Sequence, residues 1–202
     1  MANAFAGMGR SNKSDIVSEI MRHIALEKEV TLDSLMAMFV RDVDDFEMDN
    51  GLPISDPASG YDAQDPYSGR DPRFYATVVH NGLVFRDRAY ESFVGGKDSP
   101  GGREPWNTSK TGYLIRKFMR EDITLTEWDK MGTTPWRYFR YAEILLNYAE
   151  ARNEANGPDA SVYDAVNAVR NRAGMPDLSG LTKEQMRQRI RNERRVELAL
   201  EE

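Results

Sequence analysis

Carboxylates are the most plentiful reactive groups in this chain, with 33 Asp and Glu against 27 Lys and Arg, two histidines and no cysteine. The densest acidic run is Asp42, Asp44, Asp45, Glu47 and Asp49. A helix–loop–helix calcium site needs ligands at alternate positions around a glycine, closed by a bidentate glutamate. The run lacks that glycine and that spacing, so a solvated acidic face is expected rather than calcium. His23 and His80 lie far apart in different elements, which argues against a histidine metal site or a nucleophile–base pair. "VGGKD" and "PGGRE" lack the spacing and the strand-to-helix setting of a phosphate loop. Without cysteine, thiolate and disulfide chemistry are closed. No motif here announces a catalytic centre, a metal or a cofactor.

One carboxylate stands apart. Glu193 follows Ile190 by three residues and precedes Val196 by three, so it interrupts an apolar helical face in "IRNERRVELALEE". Such a group is either a catalytic or ligand-binding acid, or a buried partner for an arginine of a neighbouring helix. Arg140 and Arg170 are the candidate partners, and the scaffold role is the expected one.

Aromatic rings in irregular segments form the other useful set. Tyr61 and Tyr67 stand in "NGLPISDPASGYDAQDPYSG", residues 50–69. Tyr90 and Phe93 precede "VGGKDSPGGREPWNTSKTG", residues 94–112, and Trp106 and Asn107 lie within it. Loops on a rigid scaffold are the usual place for binding residues. The rings either offer their faces to a ligand or pin the loops down. Trp128 and Trp136, flanking "DKMGTTP", read as core anchors.

The elements that must hold these residues are mainly helical. "RYAEILLNYAEARNEANG", residues 140–157, carries Ala142, Leu146 and Ala149 on one stripe, which Phe139 extends. Tyr138, Tyr141, Leu145 and Tyr148 form a second stripe beside it, so the spacing predicts a helix buried on two sides. Asn156-Gly157 and Pro158 stop it. A second helix follows in "DASVYDAVNAVRNRAG", with Asp159 or Ser161 as N-cap, Val162, Val166, Val169 and Ala173 inward, and Gly174 closing it. A third opens at Thr182 with Gln185 in a capping box and meets no stop signal before Glu202. Short connections make neighbours antiparallel, and a doubly buried helix fits a stack of such hairpins. The clearest β signal is "FYATVVHNGLVF", in which Asn81-Gly82 predicts a type I′ hairpin turn.

These signals divide the chain into a mixed helical segment (1–50), a loop-rich part with the hairpin (51–135) and a helical repeat part (136–202). The start carries no signal-peptide pattern and the end runs on in helical sequence, so the chain reads as a C-terminal fragment of a longer single domain. Hydrophobic residues make up 40 % and charged residues 30 % of the 202, a globular composition. The net charge of −6 leaves no concentrated basic face for nucleic acid. No apolar run approaches the roughly 18 residues of a membrane span.

"RYAEILLNYAEARNE", then "AVNAVRNRAGMP" and "IRNERRVELALE", resemble the C-terminal signature of the SusD/RagB family, and "YDAQDPYSGRDPRFYATVVHNG" resembles its upstream motif. Together they cover roughly Gly51 to Glu202. The resemblance implies a scaffold of tetratricopeptide-like helical hairpins with irregular loops on one side. It implies a surface-exposed outer-membrane lipoprotein that binds glycan without catalysis and caps a TonB-dependent transporter of the SusC type, its lipid anchor outside these residues. Sugars stack on aromatic faces and take hydrogen bonds from neighbouring polar groups. The candidate binding residues are therefore Tyr61, Tyr67, Tyr90, Trp106 and Asn107. An all-helical glycoside hydrolase and a peptide-binding helical repeat module are the rival readings.

Overall fold

The computed structural model describes residues 40, 42–102, 108–122 and 137–201. The expected mixed segment at 1–50 therefore lies mostly outside the described residues. Among the described residues, 79–102 and 108–114 belong to one compact unit, and 42–78, 115–122 and 137–201 form another.

The second unit is helical. After helical residues 42–45, the short helix α1 (Pro72–Thr77) starts where Asp71 accepts a hydrogen bond from the Arg73 amide, with proline at the first helical position. The long helices are α2 (Tyr141–Asn156), α3 (Ala160–Ala173) and α4 (Lys183–Glu197). Their bounds follow the local signals. Gly157 ends α2 with φ 83°, Asp159 caps α3, and Gly174 closes it in the left-handed region. Thr182 and Gln185 make the reciprocal capping box at α4. The three-residue connection 157–159 reverses the chain between α2 and α3.

The core between these helices contains Ala149, Val162, Val166, Met186 and Ile190, all fully buried. Ala142, Leu146 and Val169 continue it along α2 and α3. Large aliphatic side chains come from α3 and α4, and α2 contributes mainly alanines, which allow close backbone approach.

Two expectations about these helices fail. The second apolar stripe of α2 is not buried: Tyr141 is 75 % exposed and Tyr148 48 %, and Leu145 is only partly covered. Tyr138 and Phe139 are also exposed. Apolar periodicity reports a face suited to burial, but of this stripe only Leu145 packs against the core, and Tyr148 reaches Ser161 of α3 through its hydroxyl while its ring stays half exposed. The last helix also stops earlier than its sequence suggests. Lys117 donates to the carbonyls of Glu197 and Ala199, and Arg140 also donates to Glu197. Those carbonyls are satisfied outside the helix, and Leu200 turns to φ 66°.

Among the described residues there are also four short strands: β1 (Val78–Val79), β2 (Val84–Phe85), β3 (Arg88–Ala89) and β4 (Leu114–Ile115). β1 pairs with β4, and β2 with β3 in antiparallel register. The hairpin therefore lies one turn later than predicted. Its two-residue turn is Arg86-Asp87, both with positive φ as a type I′ turn requires. At Asn81-Gly82 only the glycine has positive φ, and Leu83 N–H bonds back to the His80 carbonyl, which is type II geometry.

After the hairpin, the Asp98 carboxylate accepts two bonds from Arg88 at 2.7 and 2.6 Å and one from the Glu91 amide at 2.9 Å. The Arg88 hydrogen bond, working against partial burial, holds the Asp98 carboxyl below its usual range. The loop is tight enough to demand glycine at 102, where a Cβ would fall 2.0 Å from the Gly96 carbonyl oxygen.

Candidate functional site

The first irregular loop is held from within by an arginine. Arg70 is 3 % exposed and donates to the carbonyls of Val43, Phe46 and Pro66 at 2.8–2.9 Å. A guanidinium satisfies several loop carbonyls at once where an apolar side chain could satisfy none. Its charged carbon lies 4.8 Å from the Phe74 ring centre and 5.8 Å from that of Tyr61. Tyr67 stacks on the other aromatic of this group, Phe74, at 6.2 Å and 14°. The Tyr75 hydroxyl donates to the Tyr67 carbonyl at 2.5 Å.

Tyr61 and Tyr67 are thus brought to one arginine–phenylalanine centre, and both remain partly exposed. Tyr90 belongs to the other unit, and its ring is 5 % exposed. Burial, reinforced by the Asp98 charge, pushes its hydroxyl up to about 12, and that hydroxyl has no hydrogen-bond partner. Trp106 and Asn107 lie outside the described residues, as do Trp128 and Trp136.

The carboxylates sort into a buried network. Glu193 takes Arg170 at 2.9 Å and Arg73 at 2.5 Å, so the expected Arg170 pairing is present. Arg140, the other candidate, goes instead to Glu197 at 2.7 Å and Glu201 at 2.6 Å. Arg73, absent from the sequence expectation, joins Asp71, Glu193 and Glu197.

The acidic run at 42–49 is not the solvated face that its composition suggested. Glu47 is 3 % exposed and paired with Arg170 and Arg189, while Asp45 pairs with Arg195. Only Asp44 and Asp49 are fully at the surface. Burial raises the Glu47 carboxyl above its usual value despite the two arginines. At Glu197, burial also works upward, but Arg140, Arg172 and Arg73 outweigh it and leave the carboxyl below its usual value.

Among the described residues, no group of three or more His, Asp or Glu is arranged to hold a metal ion. No helix among them is long and apolar enough to cross a membrane.

Residues 40–202 match the model of the SusD family. Two solved structures from Bacteroides fragilis are similar to the chain. One, a SusD-like protein, is 35 % identical with a TM-score of 0.62; the other, a SusD-like carbohydrate binding protein, is 30 % identical with a TM-score of 0.64. In each case the match covers 80 % of this chain and 33 % of the other, so the chain spans about a third of these relatives' length. No curated protein matches the chain.

Proposed function

The chain belongs to the SusD family, and on that premise we propose that it is part of a non-catalytic carbohydrate-binding protein. The whole protein would collect oligosaccharide or polysaccharide at the outer-membrane surface, where a lipid anchor outside these residues tethers it. It would then deliver the glycan to a TonB-dependent transporter of the SusC type.

The observation that carries this reading beyond kinship is the pair of partly exposed tyrosines, Tyr61 and Tyr67, braced by Arg70 and Phe74. Rings fixed in this way lose little freedom when a sugar stacks on them, so less of the stacking energy is offset by ordering. The other proposed residues are Tyr90, in the other unit, and Trp106 and Asn107, which lie outside the described residues. Tyr90, being buried, would anchor its segment rather than meet the sugar.

A retaining or inverting hydrolase needs one carboxyl kept protonated beside a second carboxylate in an open cleft. Glu197 and Glu201 are both held below their usual value, each with burial outweighed by arginine or lysine partners. Glu47 is raised but enclosed by Arg170 and Arg189.

Calorimetric titration of the full-length protein against a panel of soluble polysaccharides, with reducing ends assayed in parallel, tests the proposal. Binding without new reducing ends is expected. New reducing ends would establish the hydrolase instead, and binding of extended peptides but no glycan would establish the repeat module.

A further inference from the structure

A concave surface lies within the helical unit, and its lining includes neither Tyr61 nor Tyr67. It is a cleft of about 540 Å³ between α1, the turn at Lys117-Phe118, the segment 137–140 that leads into α2, and the C-terminal ends of α3 and α4. That is within the volume range of small-ligand sites, roughly 300–1,000 Å³. Most of its charges are spent on each other. Arg73 and Arg140 are engaged by carboxylates, and Lys117 pairs with Glu201 at 2.5 Å.

Two guanidinium groups are left over. Arg137 is exposed and makes no ion pair or hydrogen bond among the described residues. Arg172 has its side chain 59 % exposed and meets Glu197 through Nη2 alone, which leaves Nε and Nη1 without partners among the described residues. The cleft therefore presents unspent planar donor forks, which suit carboxylate and sulfate oxygens.

The wall beside them carries a strained aromatic. Met119 N–H bonds to the Arg116 carbonyl at 2.9 Å, closing a turn in which Phe118, at the third position, has φ 72°. A turn of that type ordinarily has glycine there. The conformation is imposed from outside: Arg116 and Lys117 amides bond to the Thr77 carbonyl, and the Arg116 side chain bonds to the Tyr75 carbonyl. The consequence is a phenylalanine ring, 50 % exposed, at the cleft wall, with the Lys117 ammonium 5.6 Å from its centre. Strain kept where a glycine would remove it points to use of the side chain.

We propose that this cleft is a further carbohydrate subsite, selective for a sugar unit bearing a carboxylate or a sulfate ester. The apolar face of the sugar stacks on Phe118, and its anionic substituent is taken by Arg172 and Arg137. This inference rests on the carbohydrate-binding reading, and it adds the charge class of the ligand. Glu197 and Glu201 stay with their arginine and lysine partners and receive hydroxyl hydrogen bonds at most.

Titration of the full-length protein with polygalacturonate, chondroitin sulfate and neutral dextran tests it. The variants are Arg137→Gln, whose side chain has no ion pair or hydrogen bond among the described residues, and Phe118→Gly, which suits the positive φ of the turn, with the melting temperature of each checked against wild type. At least one anionic polymer is expected to bind, its affinity falling as salt rises. Each variant is expected to weaken that binding about tenfold, while binding of any neutral glycan stays unchanged. The preferred anionic polymer distinguishes carboxylate from sulfate. Neutral glycans bound with no anionic ones, or anionic binding indifferent to both variants, would overturn the subsite and leave the general function standing. Loss of all glycan binding from the wild type would overturn both. Polyglutamate competing as well as the sugar polymers would replace the saccharide assignment with an acidic peptide.

Discussion

Replacing Glu193 by alanine should separate scaffold from site. The carboxylate is 3 % exposed and bridges two cations, Arg170 at 2.9 Å and Arg73 at 2.5 Å. Arg170 is itself 1 % exposed, so bulk solvent does not take the place of the lost oxygen. Removing one member of a buried pair costs about 3–5 kcal/mol when the other charge is left alone. Here neither arginine is abandoned: Arg170 keeps Glu47 and the Pro176 carbonyl, and Arg73 keeps Asp71 and Glu197. The loss should therefore fall at the low end, about 3 kcal/mol. For a chain of this size that lowers the melting temperature by about 6–12 °C. Differential scanning calorimetry of wild type and Glu193→Ala reads this directly, with Arg187→Ala, at an exposed pair, as a control that should leave the transition unmoved. Glycan affinity of the full-length protein should not change. An unaltered melting temperature would refute the buried-network reasoning, and if glycan binding were lost as well, Glu193 would become a ligand-binding acid.

Acid should unfold the helical unit through Glu197 and Glu201. Both carboxyls are depressed in the fold, so their stabilisation is fully present above their usual value of 4.5 and is lost as pH falls through the depressed values. Melting temperature followed from pH 6 to about pH 2 should drop below that point, and less steeply in Arg140→Gln; parallel profiles would contradict it. Tyr90→Phe should raise stability by about 1 kcal/mol in chemical denaturation, because it deletes a buried hydroxyl that has no partner. A loss of stability would mean that the hydroxyl is bonded. Tyr61→Ala and Trp106→Ala should each weaken glycan binding by about 1–3 kcal/mol, scaled from stacking on flat ligands. Calorimetry showing wild-type affinity for either would remove that residue from the site.

How much of this was legible in the sequence depended on how local each cause was. The three long helices could be read because their causes lie within a few residues. Asp159 reaches the Val162 amide, Thr182 and Gln185 cap each other, and Gly157 and Gly174 supply the conformations that end a helix. The family motifs are legible for a related reason, since they are made of those caps together with the apolar positions between α2, α3 and α4.

What the sequence could not determine are choices among distant partners. An arginine carries no record of which carboxylate it will meet, and the Arg73–Glu193 bond spans 120 residues. Glu47 looked like one acid of a solvated run until Arg170 and Arg189 closed over it. Val78-Val79 had the composition of a hairpin strand, but pairing with Leu114–Ile115 claimed it and left the hairpin to Arg86-Asp87. The tyrosine stripe of α2 shows that periodicity states what a face is fit for, whereas exposure depends on which element arrives to cover it. The strained Phe118 was invisible for the same reason. Its left-handed backbone is imposed by bonds to the Thr77 and Tyr75 carbonyls, forty residues earlier in the chain, and only tertiary structure brings those atoms within reach.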